Sequence, residues 1–153
     1  MKQIKLNITT KTETYPIIIG SNLTSSVSKI FRANSIYSEK YFLVVDKNVP
    51  KKFISNIKRS LRNKKIYLFL FNASEKNKNF NNVNKILENL LEKNFSRNDC
   101  LISIGGGITG DISGFVASLF KRGLKFINIP TTLLAQVDSS IGGKTGVNSM
   151  HGK

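Results

Sequence analysis

The sequence predicts an α/β fold: a mostly parallel β-sheet flanked by helices, forming one domain across residues 1–153. Three observations carry that expectation. YFLVV at 41–45, IYLFLF at 66–71 and CLISI at 100–104 are short apolar runs of the kind buried on both faces of a parallel sheet. Between them the apolar period changes to that of a helix, most clearly from Lys78 to Phe95, where Phe80, Val83, Ile86, Leu87, Leu90 and Leu91 recur at helical spacing. Strand and helix therefore alternate along the chain, which implies right-handed crossovers between parallel strands.

Taken in order, residues 3–8 and 15–19 read as two short strands, with Gly20 closing the second. SNLTSSVSKIF offers Ser and Asn as caps before Leu23, Val27, Ile30 and Phe31, which predicts a modest helix. The 41–45 run ends in Asp46-Lys47-Asn48, and Pro50 suits the first turn of a helix reaching about Arg62. After the buried strand at 66–71 and the long helix, CLISI leads straight into glycines, DISGFVASLF continues as a helix, and KFINI at 125–129 is a further strand.

Composition sets bounds on function. A 40% hydrophobic and 22% charged chain matches ordinary globular proteins, so one compact core is expected. No apolar run approaches the roughly 20 residues of a membrane span. The N-terminus alternates polar and apolar residues instead of presenting an export signal, so a cytoplasmic location is expected, with no membrane partner. The lone Cys100 excludes a disulfide framework and a Cys-rich metal site, and beside Leu101 and Ile102 it reads as strand filler. The net charge of +15 suggests a polyanion partner. Lys and Arg are nevertheless scattered, the tight clusters lie at 51–52 and 58–65, and neither interleaved aromatics nor a recognition motif accompanies them. The charge is read as a solvated surface, and no nucleic-acid partner is expected.

Gly105, Gly107 and Gly110 fit the G-x-G-x-x-G fingerprint, with a strand before and a helix after. Such a turn lets main chain approach a pyrophosphate while the helix start supplies free N–H groups. On that reading a valine at Gly107 fills the space the diphosphate needs. Glycine turns of this kind also occur for steric reasons alone, and the acid expected about 20 residues on is replaced by Ile129-Pro130-Thr131. Asp46, at a strand's carboxyl end, could clamp a ribose; Asp46 and Asn48 equally suit a plain polar turn. Further on, Gly143-Lys144-Thr145 ends like a P-loop, but Asp138 occupies the place of its first glycine, which disfavours nucleotide hydrolysis. The loop still offers flexible, cationic chain for an anion. No cluster of His, Asp and Glu has metal-ligand spacing.

Residues 105–148, GGGITGDISGFVASLFKRGLKFINIPTTLLAQVDSSIGGKTGVN, resemble the central signature of the 3-dehydroquinate synthase family, with weaker likeness through SEKNK at 74–78 and VVDKNV at 44–49. The combination of G-G-G-x-x-G-D, F-x-A-x-x-x-x-R-G, I-P-T-T-L-L-A-Q-V-D-S-S and G-G-K-T is far more specific than any one piece. The resemblance implies a Rossmann-like N-terminal domain that binds NAD across the sheet's carboxyl edge. It assigns Asp46, Asn48, Glu75 and Lys78 to the adenosine side, and Gly107, Ile108, Thr109, Gly110 and Asp111 to the pyrophosphate. Thr131, Thr132, Lys144 and Lys153 complete the cofactor cradle, while Asp138 and Lys144 face the substrate as catalytic candidates. Ala73 and Ser74 depart slightly from the family pattern, and Ser149 stands where a histidine is common, so His151 is not given that role.

By the same resemblance, family members continue into a helical domain whose glutamate and two histidines hold a divalent metal, zinc or cobalt, and such a domain is absent here. The implied reaction converts 3-deoxy-D-arabino-heptulosonate 7-phosphate to 3-dehydroquinate and phosphate in the shikimate pathway, in a full-length enzyme that could be a homodimer. This chain alone is expected to bind NAD at best. Two other classes stand beside that reading: a related metal-dependent alcohol or glycerol dehydrogenase, and a non-catalytic basic module that binds nucleic acid.

Overall fold

The computed structural model describes residues 3–11, 14–149 and 152. The chain divides into two compact units, Met1–Tyr37 with Lys51–Arg62 and Ser38–Pro50 with Asn63–Lys153.

In the first unit, β1 (Ile4–Thr9) and β2 (Thr14–Ile19) pair antiparallel, with Ile4 opposite Ile19, Leu6 opposite Ile17 and Ile8 opposite Tyr15. These six side chains thus share one face, as alternation requires, while Pro16 and Ile18 fall on the other with Asn7 and Lys5. The helix expected after Gly20 is in two parts: a 3₁₀ turn at Leu23–Ser26, then α1 at Val27–Ala33. The Asn22 side chain makes no capping bond, contrary to expectation, and Asn22 instead turns the chain with a left-handed φ of 55°; Ser26, at the cap position of α1, makes none either. α2 spans Lys51–Ser60, and its last residue accepts a 2.9 Å hydrogen bond at Oγ from the Ser28 backbone N–H, pinning the start of α1.

The second unit is built on four parallel strands, β3 (Lys40–Asp46), β4 (Lys65–Phe71), β5 (Cys100–Gly105) and β6 (Lys125–Pro130), in the order β4-β3-β5-β6. α3 (Phe80–Glu92) and α4 (Gly107–Leu119) pack on one face, where Phe42, Val44 and Leu101 of the sheet meet Val83, Ile86, Leu90, Ile112, Val116 and Ala117. Phe95 closes this core, meeting Phe42 and Tyr67 edge-on at 5.5 and 5.4 Å between ring centroids. Leu43, Val45, Ile102 and Ile104 on the opposite face are buried as well, so the central strands are covered on both faces.

The apolar pattern is refined at three places. IYLFLF is an edge strand in the sheet: Tyr67, Phe69 and Phe71 turn to the core, while Leu68 and Leu70 are exposed. Phe80 and Leu91 of α3 also lie outside the core, and Phe80 instead packs edge-on against Phe115 at 5.9 Å. α4 begins at Gly107, a full turn before the helix expected from Asp111, so the glycine run is itself the helix start.

Cys100 is fully buried in β5. Burial pushes its thiol up from 9.0 to about 12, with Asp99 adding to the rise and Lys125 opposing it. Below pH 9.0 the thiol is neutral whether the chain is folded or not; between there and about 12 only the unfolded chain releases the proton. Stability should fall across that interval, and less so in Cys100→Ala, in a series of urea melts. A thiol reagent should likewise leave the native chain unmodified at neutral pH and label it once unfolded.

Candidate functional site

The strand order fixes where a ligand could sit. From β3 the chain proceeds to β4 on one side and then returns to β5 on the other, so the direction of winding reverses between β3 and β5. In an open parallel sheet the crevice at the carboxyl ends of two such strands is the usual ligand position. Here those ends are Asp46 and Gly105, and a Cβ placed on Gly105 would lie 3.1 Å from the Asp46 Cβ. β6 joins the same rim, because the Thr131 backbone N–H donates to the Gly105 carbonyl at 2.8 Å.

At this rim α4 starts without a side-chain cap: Gly106 holds the cap position in an extended conformation, and no acidic residue occupies the first turn. The N–H groups at the beginning of a helix have no partner within it and carry the positive end of its dipole. Two hydroxyls bracket the turn. Thr109 Oγ1 lies 2.6 Å from the Cβ position of Gly105, Ser139 Oγ lies 2.8 Å from that of Gly107, and both oxygens are buried without a hydrogen-bond partner among the described residues. An uncapped helix start beside unsatisfied hydroxyls fits a diphosphate.

The glycines themselves face protein. Cβ positions on Gly106, Gly107 and Gly110 meet Thr132 Cγ2 at 3.2 Å, Ser139 Oγ at 2.8 Å and Asn128 Nδ2 at 2.9 Å. The space in front of Gly107, expected from the sequence to be kept for a ligand, is filled by Ser139. Ser139 and Asn128 carry no sequence signal of their own, and only the packing of β6 and the following turn against α4 brings them here.

The flanking residues form a linked set. Asp46 Oδ1 accepts from the Asn48 backbone N–H at 3.0 Å, closing the polar turn after β3, with Asn48 exposed. Lys78, 6% exposed, forms an ion pair with Asp111 of α4. The Lys78 carbonyl accepts from the Asn148 backbone at 2.8 Å, and the Asn148 side chain donates to Glu75 Oε2 at 3.0 Å. Glu75 and Lys78 are therefore tied together by Asn148, which sequence reasoning did not single out, and Asp111 joins them through the Lys78 side chain. Thr132 Oγ1 accepts from the Ala135 N–H at 3.3 Å, opening a π-helical turn, Ala135–Ser139, that contains the exposed Asp138. Lys144 lies on an exposed loop turned by Gly142 and Gly143, whose φ values of 92° and 71° suit glycine. Thr145 beside it contacts the Cβ position of Gly114, which lays this loop along α4. Lys153 and His151 lie outside the described residues. No group of three or more His, Cys, Asp or Glu side chains gathers as a metal site among the described residues.

Fold and site together define an α/β protein whose four-stranded parallel sheet carries an uncapped helix start at the reversal of its strand order. The chain belongs to the 3-dehydroquinate synthase family, whose N-terminal model matches residues 68–153. The 3-dehydroquinate synthase of Pelagibacter ubique (strain HTCC1062) is 59% identical over 153 residues, covering 100% of this chain and 42% of that protein. The chain thus spans about two-fifths of the length of the curated relatives it matches. Among solved structures, a 2-deoxy-scyllo-inosose synthase complexed with carbaglucose-6-phosphate, NAD+ and Co2+ superposes with a TM-score of 0.88, at 24% identity, over 98% of this chain and 41% of that one. That likeness is one of fold. A 2-epi-5-epi-valiolone synthase from Streptomyces hygroscopicus subsp. jinggangensis 5008, with NAD+ and Zn2+ bound, has a TM-score of 0.69 and 28% identity over 77% of this chain and 33% of its own.

Proposed function

We propose that this chain is the NAD-binding part of a 3-dehydroquinate synthase, and that the complete protein converts 3-deoxy-D-arabino-heptulosonate 7-phosphate to 3-dehydroquinate and phosphate. The observation that carries the reading is the uncapped start of α4, set between the ends of β3 and β6 with two unsatisfied hydroxyls beside it.

The N–H groups of Gly107, Ile108 and Thr109 would hold the diphosphate, with the first-turn main chain up to Gly110 presenting the positive end of the helix. Asp111 is neutralised by Lys78, so its carboxylate does not repel the incoming anion. Asp46, with one oxygen engaged in its turn, would take the ribose hydroxyls on the other, beside Asn48. Glu75 would border the adenosine, held in place by Asn148, and Thr131 and Thr132 would line the far wall. NAD, when bound, supplies a temporary hydride acceptor for a ring alcohol of the substrate. Lys144 would balance the substrate's negative groups, and Asp138 would orient a hydroxyl by accepting its proton in a hydrogen bond. The described residues do not fit a divalent metal, whose ligands in the complete enzyme would lie outside them.

Isothermal titration of this chain with NAD tests the reading: micromolar to millimolar affinity is expected, and no heat of binding at any accessible concentration would reject it. In the complete enzyme Lys144→Ala should weaken the anionic substrate by about 10-fold or more, as loss of a charge-assisted hydrogen bond does, with a smaller effect on NAD. An unchanged KM for the heptulosonate phosphate would remove Lys144 from that role.

A further inference from the structure

Three polar groups beneath α4 take no part in the site at its start. Ser103 and Ser113 are fully buried, and Ser103 Oγ, Ser113 Oγ and Asn128 Oδ1 have no hydrogen-bond partner among the described residues. An unpaired polar atom in the interior costs more than a made hydrogen bond contributes, and native folds satisfy nearly all of them. Ser118, on the exposed side of the same helix, shows the usual local solution: its hydroxyl donates to the Phe115 carbonyl at 2.7 Å. Ser113 makes no such bond.

The way α4 crosses the sheet brings the three together. Gly110 of the helix lies against Asn128, and Gly114 against Phe126, so α4 runs antiparallel to the strands beneath it. Four helical residues rise about 6 Å and two strand residues span about 6.6 Å, so each step of four along α4 passes two positions of the sheet. Thr109 stands over Gly105, and the same step carries Ser113 to Ser103. Ser103 is in turn the register partner of Asn128 on the neighbouring strand, and both alternate with core residues, Leu101 and Phe126, onto the face that α4 covers. A water molecule answers all three groups, since it both donates and accepts, and a buried water makes about three hydrogen bonds to groups of this kind. A metal ion is a poor occupant: the three oxygens are neutral, and the positive end of α4 is less than two turns away.

We propose that Ser103, Ser113 and Asn128 bind one ordered water between β5, β6 and α4. The water donates to Asn128 Oδ1 and to one serine hydroxyl and accepts from the other, which ties the helix to both strands at once. It thereby fixes the height of α4 over the sheet, just below the turn whose N–H groups face the rim. The inference concerns the packing of α4 and does not depend on the cofactor or the reaction.

A crystal structure of this chain at a resolution that shows ordered solvent tests the site directly: one density peak within hydrogen-bond distance of Ser103 Oγ, Ser113 Oγ and Asn128 Oδ1 is expected. Ser113 Oγ turned onto the Thr109 carbonyl, or the two serines bonded to each other with no such peak, would overturn the proposal. Thermal unfolding gives a second measurement. Ser103→Ala and Ser113→Ala should each lower Tm by about 2–4 °C, and the double variant by little more than either alone, because both remove partners of the same water. A wild-type Tm for either single variant, or shifts that add in the double one, would mean that the hydroxyls share nothing and would count against the site. The Gly110 N–H donates to the Gly106 carbonyl at 3.1 Å and reports on the first turn of α4. Its hydrogen exchange should be about tenfold faster in Ser113→Ala, and an unchanged rate would remove the water from any hold on the helix. None of these measurements uses a ligand, so a chain that failed to bind NAD would reject the cofactor reading and leave this one standing.

Discussion

Asp111→Ala is expected to destabilise the chain by about 3–5 kcal/mol, the cost of leaving a buried ammonium without its partner. The Lys78 side chain is 7% exposed and that of Asp111 is 23% exposed, so removal of the carboxylate strands the more buried member. Lys78→Met should cost less, because it deletes the buried charge, fills similar volume and leaves Asp111 within reach of water. Pairing Lys78→Met with Asp111→Leu should recover part of the loss. Urea unfolding at neutral pH measures the three variants. The order matters more than the size: a wild-type midpoint for Asp111→Ala would mean that Lys78 reaches solvent on its own, and the pair would then have no structural role. Asn148 donates to the Lys78 carbonyl and to Glu75, so the same variant should loosen the 147–148 segment, visible as faster amide exchange at Asn148.

Gly107→Val should lose both stability and NAD affinity, and for a reason that differs from simple obstruction of the ligand. A Cβ at this position meets Ser139 Oγ at 2.8 Å, closer than packed atoms tolerate, so the added side chain pushes the Ala135–Ser139 turn away from α4. Overpacking of this sort costs about 1–3 kcal/mol, and displacement of the turn that bears Thr132's partner Ala135 should lower NAD affinity by about 10-fold or more. Gly107→Val combined with Ser139→Gly separates the two effects. If the double variant regains stability and NAD affinity together, the glycine serves the packing of Ser139. If stability returns and affinity does not, the ligand itself occupies the space.

The order of strands and helices was legible because their apolar periods differ: YFLVV at 41–45 is an unbroken apolar run and CLISI at 100–104 is broken only by Ser103, and both form the buried centre of the sheet. IYLFLF has the same composition but lies at the sheet's edge, since a run with no alternation does not say which of its faces is covered. The start of α4 was hidden for a different reason. Glycine has low helix propensity, so GGGITG reads as a loop, whereas tertiary packing of Gly107, Gly110 and Gly114 against Ser139, Asn128 and Thr145 overrides that preference. Asp46 was marked by its place at a strand's carboxyl end, but Glu75, Lys78, Asp111 and Thr132 were marked only through the likeness of longer motifs, because an isolated acid or lysine in a chain this rich in charge carries no signal.

By itself the sequence determined the alternating α/β order, the family, and the glycine turn between a strand and a helix; these depend on residue type and spacing along the chain. Only the tertiary structure decided that Lys78 and Asp111, 33 residues apart, form one partly buried pair. It also decided that Ser139 and Asn128 fill the hollows before the glycines and that Leu133, Leu134 and Val137 turn outward. Local propensity acts between neighbours in sequence, but burial and ion pairing act between neighbours in space, and which residues become such neighbours depends on how the strands cross over.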